Sequence, residues 1–527
     1  MSIQQVLIAG QWCDADKSGT FRADNPMTKE ALADEYPVST WSDCERVLQA
    51  ASEAAAELRS MTGEQIASFL EDFATRIEQH ADELVEMAHV ETALPKSPRL
   101  ADVELPRTTN QLRLGAAAAR NGSWAQATID TEAGIRSCYG PIGPICVFGP
   151  NNFPFAFGSM SGGDFAAAIA AGNPVIAKAN SSHPGTTRIF AKAAHEASLA
   201  TDMPAATVQL LYRTGHADGE RLVADHRTGA TGYTGSRNAG LKLKQAADVV
   251  GKPIYLELSS TNPVVILPGA LEERLDAIAD DFSGSCLMGA GQFCTNPGIV
   301  VLIAGDETEK FIAAVAQRFE KAPVGTLLSK SVETNLQTNL SALRAAGAEL
   351  VVGDSEGQGT GFCRANTLLR TSGETFLANA EALQTEAFGN ASLFVVAAGN
   401  DQAARLLGQM EGNLTGCVYS HSGGKDDANY DLVAGPLRQR VGRLLNDKMP
   451  TGVAVSSAMN HGGPYPSTGH PGFTAVGMPA SLIRFAMLQS YDNVRPARLP
   501  LLLRDKNLTD ATWRLVDGQW TTADVDS

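Results

Sequence analysis

Ile145-Cys146-Val147-Phe148-Gly149-Pro150-Asn151-Asn152-Phe153-Pro154 is an apolar run that stops at a Gly-Pro turn carrying two amides. Four apolar residues bounded by turn residues read as a buried strand. Pro174 to Ala177, Val208 to Leu211 and Thr231 to Tyr233 repeat the pattern, while Phe165 to Ala171 and Gly185 to Leu199 between them read as helices. Such alternation argues for right-handed β-α-β units and a parallel sheet covered on both faces.

Outward from this region the pattern holds. Residues 43 to 92 are rich in Ala, Glu and Leu, with Ile66, Phe69, Leu70 and Phe73 at helical spacing. A second alternating unit opens at Pro263-Val264-Val265-Ile266-Leu267, and its first helix sets Leu271, Leu275, Ile278 and Phe282 on one face. Gly353 to Gly361 is read as a loop. With 527 residues, the chain is too long for one ordinary core. The expectation is an α/β protein of two or three domains.

Composition narrows the function. Hydrophobic residues at 44% and charged residues at 19% suit a globular protein. A net charge of −16, without a Lys/Arg cluster, argues against nucleic acid as the main partner. The cysteines at 13, 44, 138, 146, 286, 294, 363 and 417 include no C-x-x-C pair and no zinc spacing, so no metal site is expected. The N-terminus lacks the features of a signal peptide, and no apolar stretch is long enough to span a bilayer. A cytoplasmic location follows as the simplest reading, and it suits a free thiol.

Gly291-Gln292-Phe293-Cys294-Thr295-Asn296-Pro297-Gly298 places a cysteine between turn residues, after a helical stretch and before the apolar Ile299 to Ile303. That is a place where a thiolate can face a pocket, although a small core residue reads the same locally. Glu257 ends the apolar run in Tyr255-Leu256-Glu257-Leu258-Ser259-Ser260, either as a base or as a strand-end surface carboxylate. Asn152 follows the Gly-Pro turn, as an amide donor or as a turn residue.

These three segments, in their order and spacing, resemble the aldehyde dehydrogenase superfamily from about Leu7 to Leu499. The resemblance implies a Rossmann-like cofactor domain (1–262, with arm strands near 122–140), a catalytic domain (263–480), an arm strand (481–500) and a C-terminal extension (501–527). It implies that Cys294 attacks an aldehyde, that Asn152 steadies the oxyanion, and that Glu257 activates the water that hydrolyses a thioester. Arm segments at Ile135 to Tyr139 and Leu482 to Val494 imply a homodimer or homotetramer.

The resemblance extends to the cofactor. There is no G-x-G-x-x-G; instead Tyr233-Thr234-Gly235-Ser236-Arg237-Asn238-Ala239-Gly240 precedes a helix, where Gly235 and Ser236 would admit a pyrophosphate or simply cap the helix. Lys178 would bind the adenosine ribose, and Glu386, in Thr385-Glu386-Ala387-Phe388-Gly389-Asn390, the nicotinamide ribose. Ser181 stands where NAD-preferring members commonly carry glutamate. With Arg213 nearby, that departure points to NADP over NAD. Ser259-Ser260 and Asn151 depart from the family's usual Gly-Gly and aromatic residue.

The loop Met459 to Thr468 resembles a subgroup that includes α-ketoglutarate semialdehyde and NADP-dependent fatty aldehyde dehydrogenases. The substrate implied first is 2,5-dioxopentanoate (α-ketoglutarate semialdehyde), and second a medium or long aliphatic aldehyde. A dicarboxylate product requires a cation in the pocket; an aliphatic one requires an apolar tunnel. An enzyme acylating coenzyme A and a catalytically silent member of the fold are the rival classes. His461 is left as a substrate contact or a loop residue.

Overall fold

A computed structural model describes residues 3–525. Two seven-stranded sheets organise the chain. The first runs, edge to edge, Ile254–Glu257, Ala230–Thr234, Ile145–Phe148, Val175–Lys178, Val208–Leu211, Val6–Ile8 and Gln11–Cys13. Its first five strands are parallel, and the N-terminal hairpin adds two antiparallel strands to the edge. Strand order reverses at Ile145–Phe148, so the loops leaving its carboxyl end and those of its neighbours open onto one crevice.

The parallel strands are largely buried, with Ile145, Val147, Val175, Ile176, Leu210 and Leu256 at most 1% exposed, as a sheet covered on both faces requires. Helices Gly163–Ala170 and Pro184–Ala200 provide crossovers, and Trp41–Leu58, Gly63–Gln79 and Ala81–Thr92 precede the core strands. Thr62 and Gln65 form a capping box at the second of those three. Ile66, Phe69, Leu70 and Phe73 face inward, with Phe73 edge-on to Phe165 at 5.6 Å.

The second sheet takes the order Glu349–Val352, Thr367–Ser372, Ala391–Ala397, Ile299–Ile303, Val264–Ile266, Asn413–Tyr419, Val441–Asn446, parallel except for its first strand. Its first helix, Pro268–Leu287, buries Leu271, Ile278 and Phe282, but Leu275 is only partly covered. The cause is a kink at Arg274 (φ −149°, ψ 41°), which rotates the following turn.

A third sheet of five strands joins distant segments in the order Ala486–Asp492, Ile135–Pro141, Thr128–Asp130, Arg514–Val516, Gln519–Thr521. The two arm segments thus pair antiparallel, Leu488 opposite Tyr139. The C-terminal extension is part of the same sheet, an assignment the sequence reading did not make. Arg514 anchors it: the side chain is fully buried and donates to the carbonyls of Arg504, Asp505 and Ala523.

Candidate active site

The carboxyl ends of the first sheet's strands deliver most of the site. Glu257 closes its strand, and Gly235 N–H donates to its carbonyl at 3.1 Å. The next residue, Leu258, donates to Ser467 O at 2.8 Å, so Glu257 is gripped between a strand and the 467–469 loop. Neither Ser259 nor Ser260 has positive φ; the left-handed residue falls on Asn262 (φ 48°). The loss of the family's glycines therefore costs no backbone strain here.

Asn262 also sets the Cys294 loop. Its Nδ2 donates to the carbonyls of Cys294 and Asn296, both at 2.9 Å. At Gly291 (φ 70°) the chain passes so close to Gly389 that an added Cβ would lie 2.0 Å from that carbonyl oxygen. Only glycine fits, and the turn that aims Cys294 depends on it.

The fold brings Cys294, Glu257 and His461 together. His461 Nε2 lies 2.8 Å from Glu257 Oε1 and 3.5 Å from Cys294 Sγ, and both Glu257 and His461 are 1% exposed. A carboxylate only accepts, so His461 Nε2 carries the hydrogen and donates it to Glu257. That nitrogen then has no lone pair for the thiol. Cys294 instead faces Glu257, whose second oxygen, Oε2, is buried and open to accept from the thiol. Burial pushes the Cys294 thiol well above its ordinary range, and the charge of Glu257 and a hydrogen bond to it push further. The three ligand atoms lie within 4.8 Å of one another, close enough to hold a metal ion, but the hydrogen bonds among them already account for the spacing.

Asn152 is 6% exposed, whereas Asn151 is half-buried at the loop's edge. Asn152 Nδ2 donates to Gln292 O at 2.9 Å, next to the nucleophile segment, which leaves its second amide hydrogen free. Asn180 Nδ2 donates to Gly149 O at 3.1 Å and His183 Nε2 to Pro150 O at 2.9 Å, fixing the loop's entry.

Lys178 ends its strand with its ammonium below the surface; burial and the nearby Arg213 lower its pKa to about 8. Arg213 lies over the Phe21 ring at 5.6 Å, and among the described residues it has no ion-pair partner. Ser181 stands half-buried three residues beyond Lys178. Helix Arg237–Val249 begins with Ser236 as N-cap, its hydroxyl making no capping bond, so the first-turn N–H groups are left for an anion. A Cβ at Gly240 would meet Leu258 at 2.5 Å, and one at Gly235 the Tyr233 hydroxyl at 2.7 Å, so the cradle holds its shape through small residues. The helix starts four residues earlier than the Leu241 read from the sequence.

An open cleft of about 670 Å³ runs past Arg237, Ser259, Glu386 and Glu411. Burial raises the Glu386 carboxyl to about 7, against the Ser259 hydroxyl and Ser260 N–H, which hydrogen-bond it. This donor set fits a dinucleotide: an amine and a free guanidinium at one end, helix N–H groups in the middle, a carboxyl at the other.

Two site residues were not singled out in the sequence. Arg107 and Arg443 are both coupled electrostatically to Cys294. Arg107 Nη1 donates to Val453 O at 2.8 Å, and Arg443 Nη2 to Pro450 O at 3.0 Å, so one loop ties them together. Arg107 Nε and Nη2 and Arg443 Nε are buried with no partner. Burial lowers the pKa of both, yet a guanidinium stays charged. Arg107 packs over Phe157 at 5.3 Å, which in turn lies 5.6 Å from the His461 ring.

Fold and site together define an α/β enzyme with a cysteine, a carboxylate and an amide converging beside a dinucleotide cleft. Residues 12–436 match the Aldehyde dehydrogenase family, and the chain belongs to that family. It is 37% identical to alpha-ketoglutaric semialdehyde dehydrogenase 2 of Azospirillum brasilense, over 98% of this chain and 100% of that protein. It is 34% identical to alpha-ketoglutaric semialdehyde dehydrogenase of Acinetobacter baylyi, over 92% and 93%. Betaine aldehyde dehydrogenase of Staphylococcus aureus in complex with NAD+ shares the fold at a TM-score of 0.79 and 20% identity, covering 93% of this chain and 94% of that one. The protein is an aldehyde dehydrogenase, oxidising an aldehyde to a carboxylate with a nicotinamide cofactor. Among the described residues no helix is long and apolar enough to cross a membrane.

Proposed function

We propose that the substrate is 2,5-dioxopentanoate, oxidised to 2-oxoglutarate. The observation that carries this reading is the pair Arg107 and Arg443, with unpartnered buried nitrogens, beside Cys294. A buried donor without a partner costs about 1–3 kcal/mol, more when charged, and a substrate carboxylate removes that cost. Both relatives at 34–37% identity carry the name of this activity. The aromatic wall of Phe153, Phe157 and Phe293 favours the second reading, an aliphatic aldehyde, but Arg107 lies over two of those rings.

In the mechanism, Cys294 enters as a thiol because its environment opposes the thiolate. As sulfur attacks the carbonyl carbon, Glu257 takes the thiol proton, while His461 holds the carboxylate by its N–H. Asn152 and the Cys294 backbone N–H receive the oxyanion. The nicotinamide, when bound, supplies the hydride acceptor. A thioester to Cys294 remains; Glu257, once it has passed the thiol proton on to solvent, draws the proton from the water that cleaves it, and the Cys294 sulfur leaves.

Cofactor binding is assigned to residues 1–262, with Lys178, Ser181, Arg213, Gly235, Ser236 and, across the cleft, Glu386; residues 263–480 carry the nucleophile. Two cations facing each other without a carboxylate favour the 2′-phosphate of NADP. The unpaired outer edge of Ala486–Asp492, with Met487 and Leu488 exposed, supports a homodimer or homotetramer. A cytoplasmic location accords with eight free cysteines.

Arg107→Met and Arg443→Met test the substrate. Losing a buried charged partner costs about 2–5 kcal/mol, so kcat/KM for 2,5-dioxopentanoate is expected to fall at least about 30-fold, and by as much as about 10³-fold, while hexanal turnover persists. Equal losses on both substrates refute the carboxylate role.

A further inference from the structure

We infer that Arg99 is the positioning residue that sets Asn152 against Cys294. This rests on the reading of Asn152 as the oxyanion donor. The Arg99 guanidinium lies 4.3 Å from the Phe153 ring and 5.5 Å from the Phe293 ring. Those are the residue directly after Asn152 and the residue directly before Cys294. The two rings meet edge to face at 5.4 Å and 84°. One cation therefore packs on the neighbours of both reacting groups, in the geometry that favours a guanidinium on aromatic faces.

Hydrogen bonds complete the clamp. Arg99 Nη2 donates to the Asn152 carbonyl at 3.0 Å, and Nη1 pairs with Glu104. Glu104 is fully buried, and its other oxygen accepts the N–H of Phe155 at 2.9 Å and of Ala156 at 3.0 Å. Thus one carboxylate fixes the far end of the Asn152 loop while its guanidinium partner fixes the near end. A lysine could neutralise Glu104, but it has no planar fork to reach Asn152 O and cover two rings at once.

The clamp matters because Asn152 must meet an oxygen that appears only when the carbonyl is attacked. Its side chain is tethered to Gln292 O, so a tilt of the Asn152 peptide moves the free amide hydrogen relative to Cys294. Displacement of about 1 Å in such a donor costs about 10²-fold in rate. Arg99 makes no hydrogen bond to Cys294, Glu257 or His461, so it acts through Asn152.

A double-mutant cycle tests this by the single-turnover burst of reduced nicotinamide in wild type, Arg99→Met, Asn152→Ala and the double variant. The expected result is a burst rate about 10²-fold lower in Arg99→Met, with cofactor Kd within about twofold, and a change below about threefold when Arg99→Met is added to Asn152→Ala. Arg99→Lys keeps the charge on Glu104 and supplies a folded variant; it is expected to lose at least tenfold in burst rate and to be equally silent in the Asn152→Ala background. Losses that multiply in the double variants overturn the inference while leaving Asn152 as the donor. A wild-type burst in Asn152→Ala alone removes the oxyanion reading and the inference with it. A parallel loss of cofactor affinity in both Arg99 variants also overturns it.

Discussion

Replacing Glu257 by Gln separates the two proton transfers assigned to it. The change is isosteric at a residue 1% exposed, its backbone is held by Gly235 and Ser467 on either side, and the amide oxygen can still accept from His461 Nε2. The fold and the cofactor cleft should be unaffected. Removing the charge also removes one of the causes that hold the Cys294 thiol up, after burial itself. The thiolate therefore becomes more accessible as the base is lost, and acylation persists with the thiol proton passing to water instead of to Glu257. Hydrolysis has no such compensation, and loss of a positioned base typically costs about 10²–10⁴-fold. In rapid mixing, Glu257→Gln is expected to give a burst of about one reduced nicotinamide per site, followed by a steady state slower by that factor. Hydroxylamine, which cleaves thioesters without a base, should restore turnover. Steady-state turnover at the wild-type rate would refute the assignment of Glu257 as the water-activating base. Loss of the burst itself would show that thiolate formation needs Glu257 more than it is hindered by it.

The cofactor role proposed for Lys178 needs its charged form, and burial has lowered its pKa to about 8, so the ammonium is complete well below that value and lost above it. The KM for NADP should rise as pH passes through about 8, and Lys178→Met should flatten the profile; a wild-type KM that stays flat while the amine titrates would remove Lys178 from the site. Ser181→Glu places a carboxylate where a 2′-phosphate is proposed. Like charges about 4 Å apart at an effective dielectric of about 20 repel by about 4 kcal/mol, so kcat/KM for NADP should fall at least 10²-fold with NAD much less affected, and equal effects on both cofactors would refute NADP preference.

Legibility in the sequence followed how local each signal was. Ile145–Phe148 and Ile299–Ile303 are buried throughout, so their apolar runs coincide with the strands residue for residue. The C-terminal strands Arg514–Val516 and Gln519–Thr521 were not legible because the sheet they extend is covered unevenly. Trp520 is 57% exposed while Arg514 is fully buried, the reverse of what polarity leads one to expect. Arg514 is tolerated inside because three carbonyls accept from its two Nη groups, an arrangement that exists only once the chain has folded.

The site divides along the same line. Cys294, Glu257 and Asn152 stand where strands or turns end, positions that sequence punctuation marks. His461 lies in a Gly/Pro-rich loop 204 residues from Glu257, and nothing local says which carboxylate its N–H will meet. Arg99, Glu104 and Arg107 occupy a polar segment in which each charge has an ordinary surface interpretation. What turns them inward is the ring cluster of Phe153, Phe157 and Phe293, assembled from segments more than a hundred residues apart. The guanidiniums pack on those rings and Glu104 follows to neutralise Arg99. Reaction type is thus written in local motifs, whereas the groups proposed to orient the oxyanion donor and to select an anionic aldehyde arise from tertiary packing around three phenylalanines.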